Sequence, residues 1–414
     1  MIALRDRSSV VAVAPHLSSP SEMGVVPARD QVSVERLTLT NFRSYQTLRV
    51  EVDARPVVLT GPNGAGKTNV LEALSFFAPG RGLRGAKLDE VGFATTMHTE
   101  GGSVGKPWAV AAKLSTTGGA VDVGTGISLA SDARRAVHIN GELVRSATAL
   151  LEHLGIVWLT PAMDRLFADG PGARRRFIDR LVTTLDSAHT GRTAAYDQAY
   201  RQRLRLIRDG DGDEPWFAAL EDTMARHGVA LAAARNDFVT RLNRELTVER
   251  SRFPVAHIAL VGTIDQWLED MPAVDAEDAV RRSLSDERNG VQDAGAGPHR
   301  SDIAVEMIAP GHASHGQSAA LCSTGEQKAL LISLTLAHAR LQKEQKGHVP
   351  VLLLDEIVAH LDPDRRAALF DEILKLGTQA WMTGTDAALF HNLDSAAQFL
   401  TVKNGMLASM PPPN

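Results

Sequence analysis

Residues Gly61-Pro62-Asn63-Gly64-Ala65-Gly66-Lys67-Thr68 fill every fixed position of a phosphate-cradling loop, and nothing else in the chain constrains its fold as tightly. The apolar run Val57-Val58-Leu59 enters the loop as an expected strand, and Asn69-Val70-Leu71-Glu72-Ala73-Leu74 leaves it as an expected helix. In that strand–loop–helix setting the glycines let several backbone N–H groups converge on one point, and the helix N-terminus adds partial positive charge. Lys67 is expected to reach the outer phosphates and the Thr68 hydroxyl to ligate Mg²⁺. Gly61 to Thr68, with Asn69, is therefore expected to hold a nucleoside triphosphate with Mg²⁺. A parallel α/β sheet is the scaffold such a loop needs.

At 414 residues the chain exceeds one ordinary core, so more than one domain is expected. The single cysteine, Cys322, excludes a disulfide framework and fits a reducing compartment. No run of about 18 apolar residues is present, so no membrane span or membrane partner is expected. Residues 1–31 read as a disordered tail, punctuated by Pro15, Pro20 and Pro27, with Met23 a second possible start.

Residues 32–171 read as the N-terminal part of an ATPase head. Val32–Leu39 and Leu48–Val52 are expected strands; Trp108–Leu114, Val121–Val123 and Ala136–Ile139, separated by Gly118-Gly119 and Asn140-Gly141 turns, suggest an antiparallel side sheet. Ile156–Leu159 reads as a further buried strand. Residues 172–294 read as an inserted helical arm, with Phe177, Ile178, Leu181, Val182 and Leu185 on one face, Leu204 with Ile207 on a second amphipathic stretch, and Ala230–Leu246 as a third helix. Residues 295–414 return to α/β character and are expected to complete the head.

The formal net charge is −5, yet Gly172 to Arg208 carries nine arginines against three aspartates. Arg201, Arg205 and Arg208 recur at i, i+4, i+7 and share a helix face, while Leu204 and Ile207 are expected to point elsewhere. Two readings stay open for that face: a solvated surface, or contact with DNA phosphates. Arg174, Arg175 and Arg176 are candidates for the same phosphates, for the nucleotide or for a dimer contact.

The buried run Val351-Leu352-Leu353-Leu354 ends in Asp355-Glu356. A carboxylate at the end of a strand beside the loop can hold Mg²⁺, which is the role expected of Asp355; the neighbouring Glu356 can polarise an attacking water. Ser323 opens a helix with Glu326 three residues on, the pattern of a capping box. Three decoys fail. Gly80-Arg81-Gly82-Leu83-Arg84-Gly85 follows a helix rather than a strand, unlike a dinucleotide fingerprint. Asp209–Asp213 begins like a calcium loop, but Glu214 and Leu220 occupy its glycine and glutamate positions, so it reads as a polar turn. His312 and His315 lack companions at metal spacing.

Ser323-Thr324-Gly325-Glu326 also resembles the signature of ATP-binding-cassette and SMC-type proteins, and Ala359-His360-Leu361-Asp362 resembles their D-loop. With Leu39–Tyr45, Gly66–Ala73, Arg174–Asp179, Gly297–Asp302 and Ser323–Ala329, the chain from about Val34 to Leu407 resembles the RecF family of DNA replication and repair proteins. That resemblance implies an ABC/SMC-type head with an inserted arm. It also implies an ATP-dependent homodimer in which Ser323, Thr324, Gly325 and Glu326 address the γ-phosphate held by the other copy. It further implies binding to double-stranded DNA and single/double-strand junctions at gaps or stalled forks, and loading of RecA with RecR and RecO in replication, repair and the SOS response. Two departures from the wider cassette pattern make ATP binding a firmer expectation than fast hydrolysis. Thr160-Pro161 stands where a glutamine is usual, and Thr385 stands where the switch histidine is usual. A transporter ATPase, an SMC-like chromosome protein and an overcoming-lysogenization-type nuclease are the rivals. The arm is too short for an SMC coiled coil, and only Thr401 to Asn414 follows the last expected strand, too little for a nuclease domain.

Overall fold

The computed structural model describes residues 31–93, 107–127, 134–210, 212–247, 252–291, 294–309, 312, 314–403 and 405–412. The expected tail up to residue 30, Asp211 of the rejected calcium loop and Asp293 at the arm's expected end lie outside them.

The described residues form eight α-helices, six 3-10 helices and three sheets. The side sheet is antiparallel in the order β2-β1-β4-β5-β6-β7, formed by β1 (Ser33–Phe42), β2 (Tyr45–Glu51), β4 (Trp108–Thr116), β5 (Gly119–Ile127), β6 (Ala136–Ile139) and β7 (Glu142–Val144). The central sheet runs β15-β14-β3-β13-β12-β8, from β3 (Val57–Thr60), β8 (Ile156–Leu159), β12 (Val351–Leu354), β13 (Ala380–Gly384), β14 (Gln398–Lys403) and β15 (Met406–Met410). Its strands are parallel except β15, so chain from both ends of the sequence builds one sheet: β3 lies between β13 and β14.

Strand alternation sorts the central sheet into two apolar faces. Val57, Leu59, Ile156, Val351, Leu353 and Trp381 pack with helix α1 (Lys67–Ser75) and the side sheet. Val58, Val157, Leu159, Leu352, Leu354 and Met382 pack instead with α2 (Pro171–Leu185), α7 (Thr324–Lys346) and α8 (Pro363–Leu376). Helix α1, which follows the phosphate loop, and helix α7, which begins beside Ser323, therefore lie on opposite faces of one sheet.

The arm has a core of its own, from α3 (Ala188–Asp209), α4 (Glu214–Thr247), α5 (Thr263–Asp270) and α6 (Ala273–Arg288). With 34 residues, α4 extends about 50 Å at 1.5 Å per residue, and it contributes Met224 and Val229 to the arm core but Phe238 and Leu242 to the head. Two expectations need correction here. The stretch 172–294 is not wholly helical: β9 (Val255–Val261) pairs antiparallel with β10 (Asp302–Ile308), which also pairs with β11 (Gln317–Ser318). And Leu204 and Ile207 are exposed, at 43% and 41%, while Arg203 and Leu206 point inward. Arg203 donates to Glu221 (3.0 Å), Glu287 (2.7 Å) and the Leu284 carbonyl (2.5 Å), so a satisfied ion network takes the place that the apolar pattern assigned to leucine.

His338 on α7 is fully buried beside Arg180. The Thr184 hydroxyl donates to the Leu181 carbonyl and so accepts from His338 Nε2, 2.9 Å away. Burial, reinforced by the Arg180 charge, pushes the imidazole down to about 3, and burial with Arg300 and Arg175 pushes His299 down to about 4. Both rings bind protons more weakly folded than unfolded, so their contribution to stability is complete above pH of about 6.5 and is lost as pH falls toward those lower values. The urea midpoint is expected to fall between pH 6.5 and 5, and to fall less steeply in His338→Leu; equal slopes would contradict the buried neutral ring.

Candidate nucleotide site at the carboxyl edge of the central sheet

The loop between β3 and α1 needs glycine at two points. Gly61 has φ of +142°, and a Cβ there would sit 2.3 Å from the Val402 carbonyl oxygen on β14. Gly66, with φ of +109°, begins α1, and a Cβ would meet the Tyr45 hydroxyl at 2.7 Å and Ser44 Oγ at 2.9 Å. That contact comes from the β1–β2 turn, which is fastened beneath the loop: Tyr45 Oη donates to the Gly66 carbonyl (3.0 Å), and Asn69 Nδ2 donates to Ser44 Oγ (2.8 Å). Arg43, at φ of +51°, forks onto Glu72 of α1 at 2.9 and 2.5 Å. Arg84 reaches both Glu72 (2.7 Å) and Asn69 Oδ1 (2.8 Å). Glu72 is fully buried, so the two arginines supply the charge compensation that its position requires.

Lys67 is buried, and Nζ donates to the carbonyls of Gly61 (2.7 Å) and Pro62 (3.0 Å). Burial holds its ammonium below the ordinary lysine range, against the opposing pull of Glu356 and Asp355. Gly61, Pro62, Asn63, Gly64, Ala65, Gly66, Lys67 and Thr68 thus form one continuous loop and helix start, as the motif demands.

Two strands and a helix meet at Asp355. It follows β12, and its Oδ1 accepts from Thr68 Oγ1 at 2.8 Å and from Thr383 Oγ1 on β13 at 2.8 Å. The expected Mg²⁺ ligands, Thr68 and Asp355, are therefore adjacent. Two oxygens 2.8 Å apart suit neighbouring ligand positions on a small hard cation, whose octahedral edge is about 3 Å for ligands at about 2.1 Å. Glu356 has φ of +52° and ψ of +20°, a left-handed conformation that costs a non-glycine residue of order 1–3 kcal/mol and clusters at functional sites. Its backbone N–H donates to Thr383 Oγ1 at 2.8 Å.

On the opposite face, Ser323 caps α7 with a complete capping box, and Glu326 also accepts from Ser314 Oγ at 2.7 Å. The hydrogen bonds from Ser323 and Ser314 hold the Glu326 carboxyl down at about 2. Ser323 and Thr324 are exposed, Gly325 and Glu326 half-buried, and the neighbouring Leu321 is 73% exposed. Arg365 Nη1 donates to the Gly325 carbonyl (3.1 Å), while Asp362 caps α8 through the Arg365 N–H (2.8 Å), so the signature and the D-loop are tied within one chain. Thr385, in the switch-histidine position, is exposed just beyond β13.

The arm candidates separate. Arg174 makes a fork to Asp302 at 2.8 Å on both arms and donates to the carbonyls of Phe167 and Asp169. Arg175 donates to the Ser301 carbonyl at 2.7 Å. Arg235 forks onto Asp179 and donates to the Pro298 carbonyl, each at 2.8 Å. The motifs Arg174–Asp179 and Gly297–Asp302 thus grip each other. Arg176, Arg201, Arg205 and Arg208 are exposed; Arg201 donates to the Asp197 carbonyl and Arg208 to Asp209. Sequence reasoning missed Thr383, Arg43 and Glu72 as parts of the site.

A phosphate loop, a strand-terminal acid pair two strands away and an exposed helix-capping serine define the head of an ABC/SMC-type protein. The family model described as RecF/RecN/SMC N terminal domain matches residues 33–408. The DNA replication and repair protein RecF of Mesorhizobium japonicum is 48% identical over 91% of this chain and 97% of its own length. A solved structure described as the recombination mediator protein RecF-ATPrS in the RecFOR pathway superposes with a TM-score of 0.76 at 19% identity, covering 93% of this chain and all of that one. A second, described as RecF-ATP, gives 0.72 at 19% identity over 92% and 99%. The chain belongs to the RecF family.

Gly66→Ala is expected to push Tyr45 and Ser44 off the loop, lowering triphosphate affinity at least about tenfold in a fluorescent-nucleotide titration. Affinity equal to wild type would show that the cradle does not need this close approach.

Proposed function

We propose that this chain is an ATP-operated, DNA-binding recombination mediator whose nucleotide site is completed by a second copy. The observation that carries the reading is the placement of α1 and α7 on opposite faces of the central sheet. The phosphate loop has Lys67, Thr68, Asp355 and Glu356 beside it, while the exposed Ser323 cap belongs to the helix across the sheet, ready for another molecule's triphosphate. The solved RecF-ATP structure supports ATP as the nucleotide. Thr68 and Asp355 would hold Mg²⁺, which when bound supplies positive charge against the phosphate oxygens.

ATP that binds the closed pair more tightly than separate chains shifts the equilibrium toward the pair by that difference in affinity. Pairing brings two arms together, and Arg176, Arg201, Arg205 and Arg208 are the exposed guanidiniums offered to duplex phosphates, including single/double-strand junctions. Arg174 and Arg175 serve the arm–head joint instead. Hydrolysis follows when the Glu356 carboxylate accepts a proton from water attacking the γ-phosphorus and ADP leaves, after which the pair loosens. Belonging to the RecF family supports action with RecR and RecO toward RecA loading, within the cytoplasm. Among the described residues no helix is long and apolar enough to cross a membrane.

Lys67→Ala is expected to abolish ATP binding and ATP-dependent duplex binding together; DNA binding that still responds to ATP would break the coupling. Glu356→Gln is expected to accumulate an ATP-bound dimer on light scattering, and a strictly monomeric variant would count against the shared site. Reversing Arg201, Arg205 and Arg208 to Glu should flatten the dependence of duplex affinity on salt, since each lost phosphate contact removes about 0.9 from the log–log slope. An unchanged slope would return that face to solvent.

A further inference from the structure

We propose that Thr383 is a positioning residue for hydrolysis, fixing Glu356 relative to the Asp355 carboxylate through a single buried hydroxyl. The assignment rests on the ATPase reading above and adds to it a residue outside the recognised motifs. Thr383 is fully buried on β13, the strand between the one that carries the phosphate loop and the one that ends in the acid pair. The chemistry of its neighbours dictates how the hydroxyl points. A backbone N–H can only donate, so Thr383 Oγ1 must accept from Glu356 N, 2.8 Å away. An ionised carboxylate can only accept, so the Thr383 proton goes to Asp355 Oδ1, also at 2.8 Å. Both ends of the hydroxyl are committed, and the two bonds join neighbouring residues of which one, Glu356, is held in the left-handed region.

That conformation requires support from its surroundings, and Thr383 is the side chain that supplies it at the Glu356 N–H. Thr68 donates to the same Asp355 oxygen, so a chain of hydroxyls and carboxylate runs from the phosphate loop to the backbone of the proposed general base. Without the Thr383 hydroxyl the acid pair stays in the chain, but the backbone that aims Glu356 is free to relax. The Thr383 hydroxyl bonds to Asp355 and to the Glu356 N–H rather than to the triphosphate cradle of Gly61 to Thr68, so binding should outlast the loss of turnover.

The test compares wild type, Thr383→Val, Thr383→Ala and Thr383→Ser as full chains with Mg·ATP and duplex DNA, measuring nucleotide affinity, steady-state phosphate release and melting temperature. Valine keeps the shape and removes the hydroxyl: its ATP affinity is expected within about twofold of wild type, with kcat down roughly 10- to 100-fold. Serine restores the hydroxyl and is expected to recover kcat to within about threefold of wild type, and alanine covers the case in which valine does not fold. Unchanged turnover in both valine and alanine variants would overturn the assignment while leaving the ATPase reading intact. So would serine as slow as valine, or affinity falling in step with kcat. Absence of turnover in the wild type with DNA present would overturn the ATPase reading, and this assignment with it.

Discussion

The carboxylate of Asp355 is the contact on which the rest of the site depends. One of its oxygens accepts from Thr68, at the start of the helix that leaves the phosphate loop, and from Thr383, on the strand between. These bonds tie α1 and β13 to the end of β12 at the carboxyl edge of the sheet, where a parallel sheet gathers loops into a crevice. Strand β3 lies far in the sequence from β12 and β13, and the sheet that unites them leaves the core of the arm to form outside it. With Thr68 the same carboxylate sets two oxygens 2.8 Å apart beside the phosphate loop. Structure and chemistry converge on one residue, which makes the site cooperative with the fold of the head.

The insertion is joined to the head both by apolar packing of α2 and the C-terminal half of α4 and by a set of arginine hydrogen bonds. Arg174 forks onto Asp302 at the start of β10, Arg175 donates to the Ser301 carbonyl before it, and Arg235 of α4 joins Asp179 of α2 to the Pro298 carbonyl. Truncating one partner of such a buried, hydrogen-bonded pair leaves an uncompensated charge, so the joint is geometrically demanding. Helix α4 runs through both cores, which gives the arm a rigid connection to the head. A change in how two heads meet would therefore be transmitted to where the exposed arginines sit.

What the sequence disclosed was whatever local chemistry writes in consecutive residues. The phosphate loop, the buried strand ending in Asp355-Glu356, the capping box at Ser323 and the turns of the side sheet all follow from spacing within ten residues. Thr383 left no such trace: a threonine inside a strand is ordinary, and only the order β3-β13-β12 gives it a role. Arg203 and Leu204 exchanged places relative to the apolar pattern because two glutamates from other helices reach the arginine, which no window along α3 can reveal. The strand β9 was missed within the stretch read as helical, since its partner β10 lies some forty residues on, beyond two helices. Arg174 and Arg175 read as free cations until the fold brought Asp302 and Ser301 to them.

The account stands on half a nucleotide site in each chain, and mixing two crippled chains tests that most directly. Lys67→Ala keeps the Ser323 cap but spoils the loop; Ser323→Arg keeps the loop but blocks the cap. Each alone should be inactive in DNA-stimulated ATP hydrolysis, and their mixture should regain activity, because the mixed pair contains one intact loop facing one intact cap. A mixture as inactive as its components, although the two chains associate, would contradict the shared site.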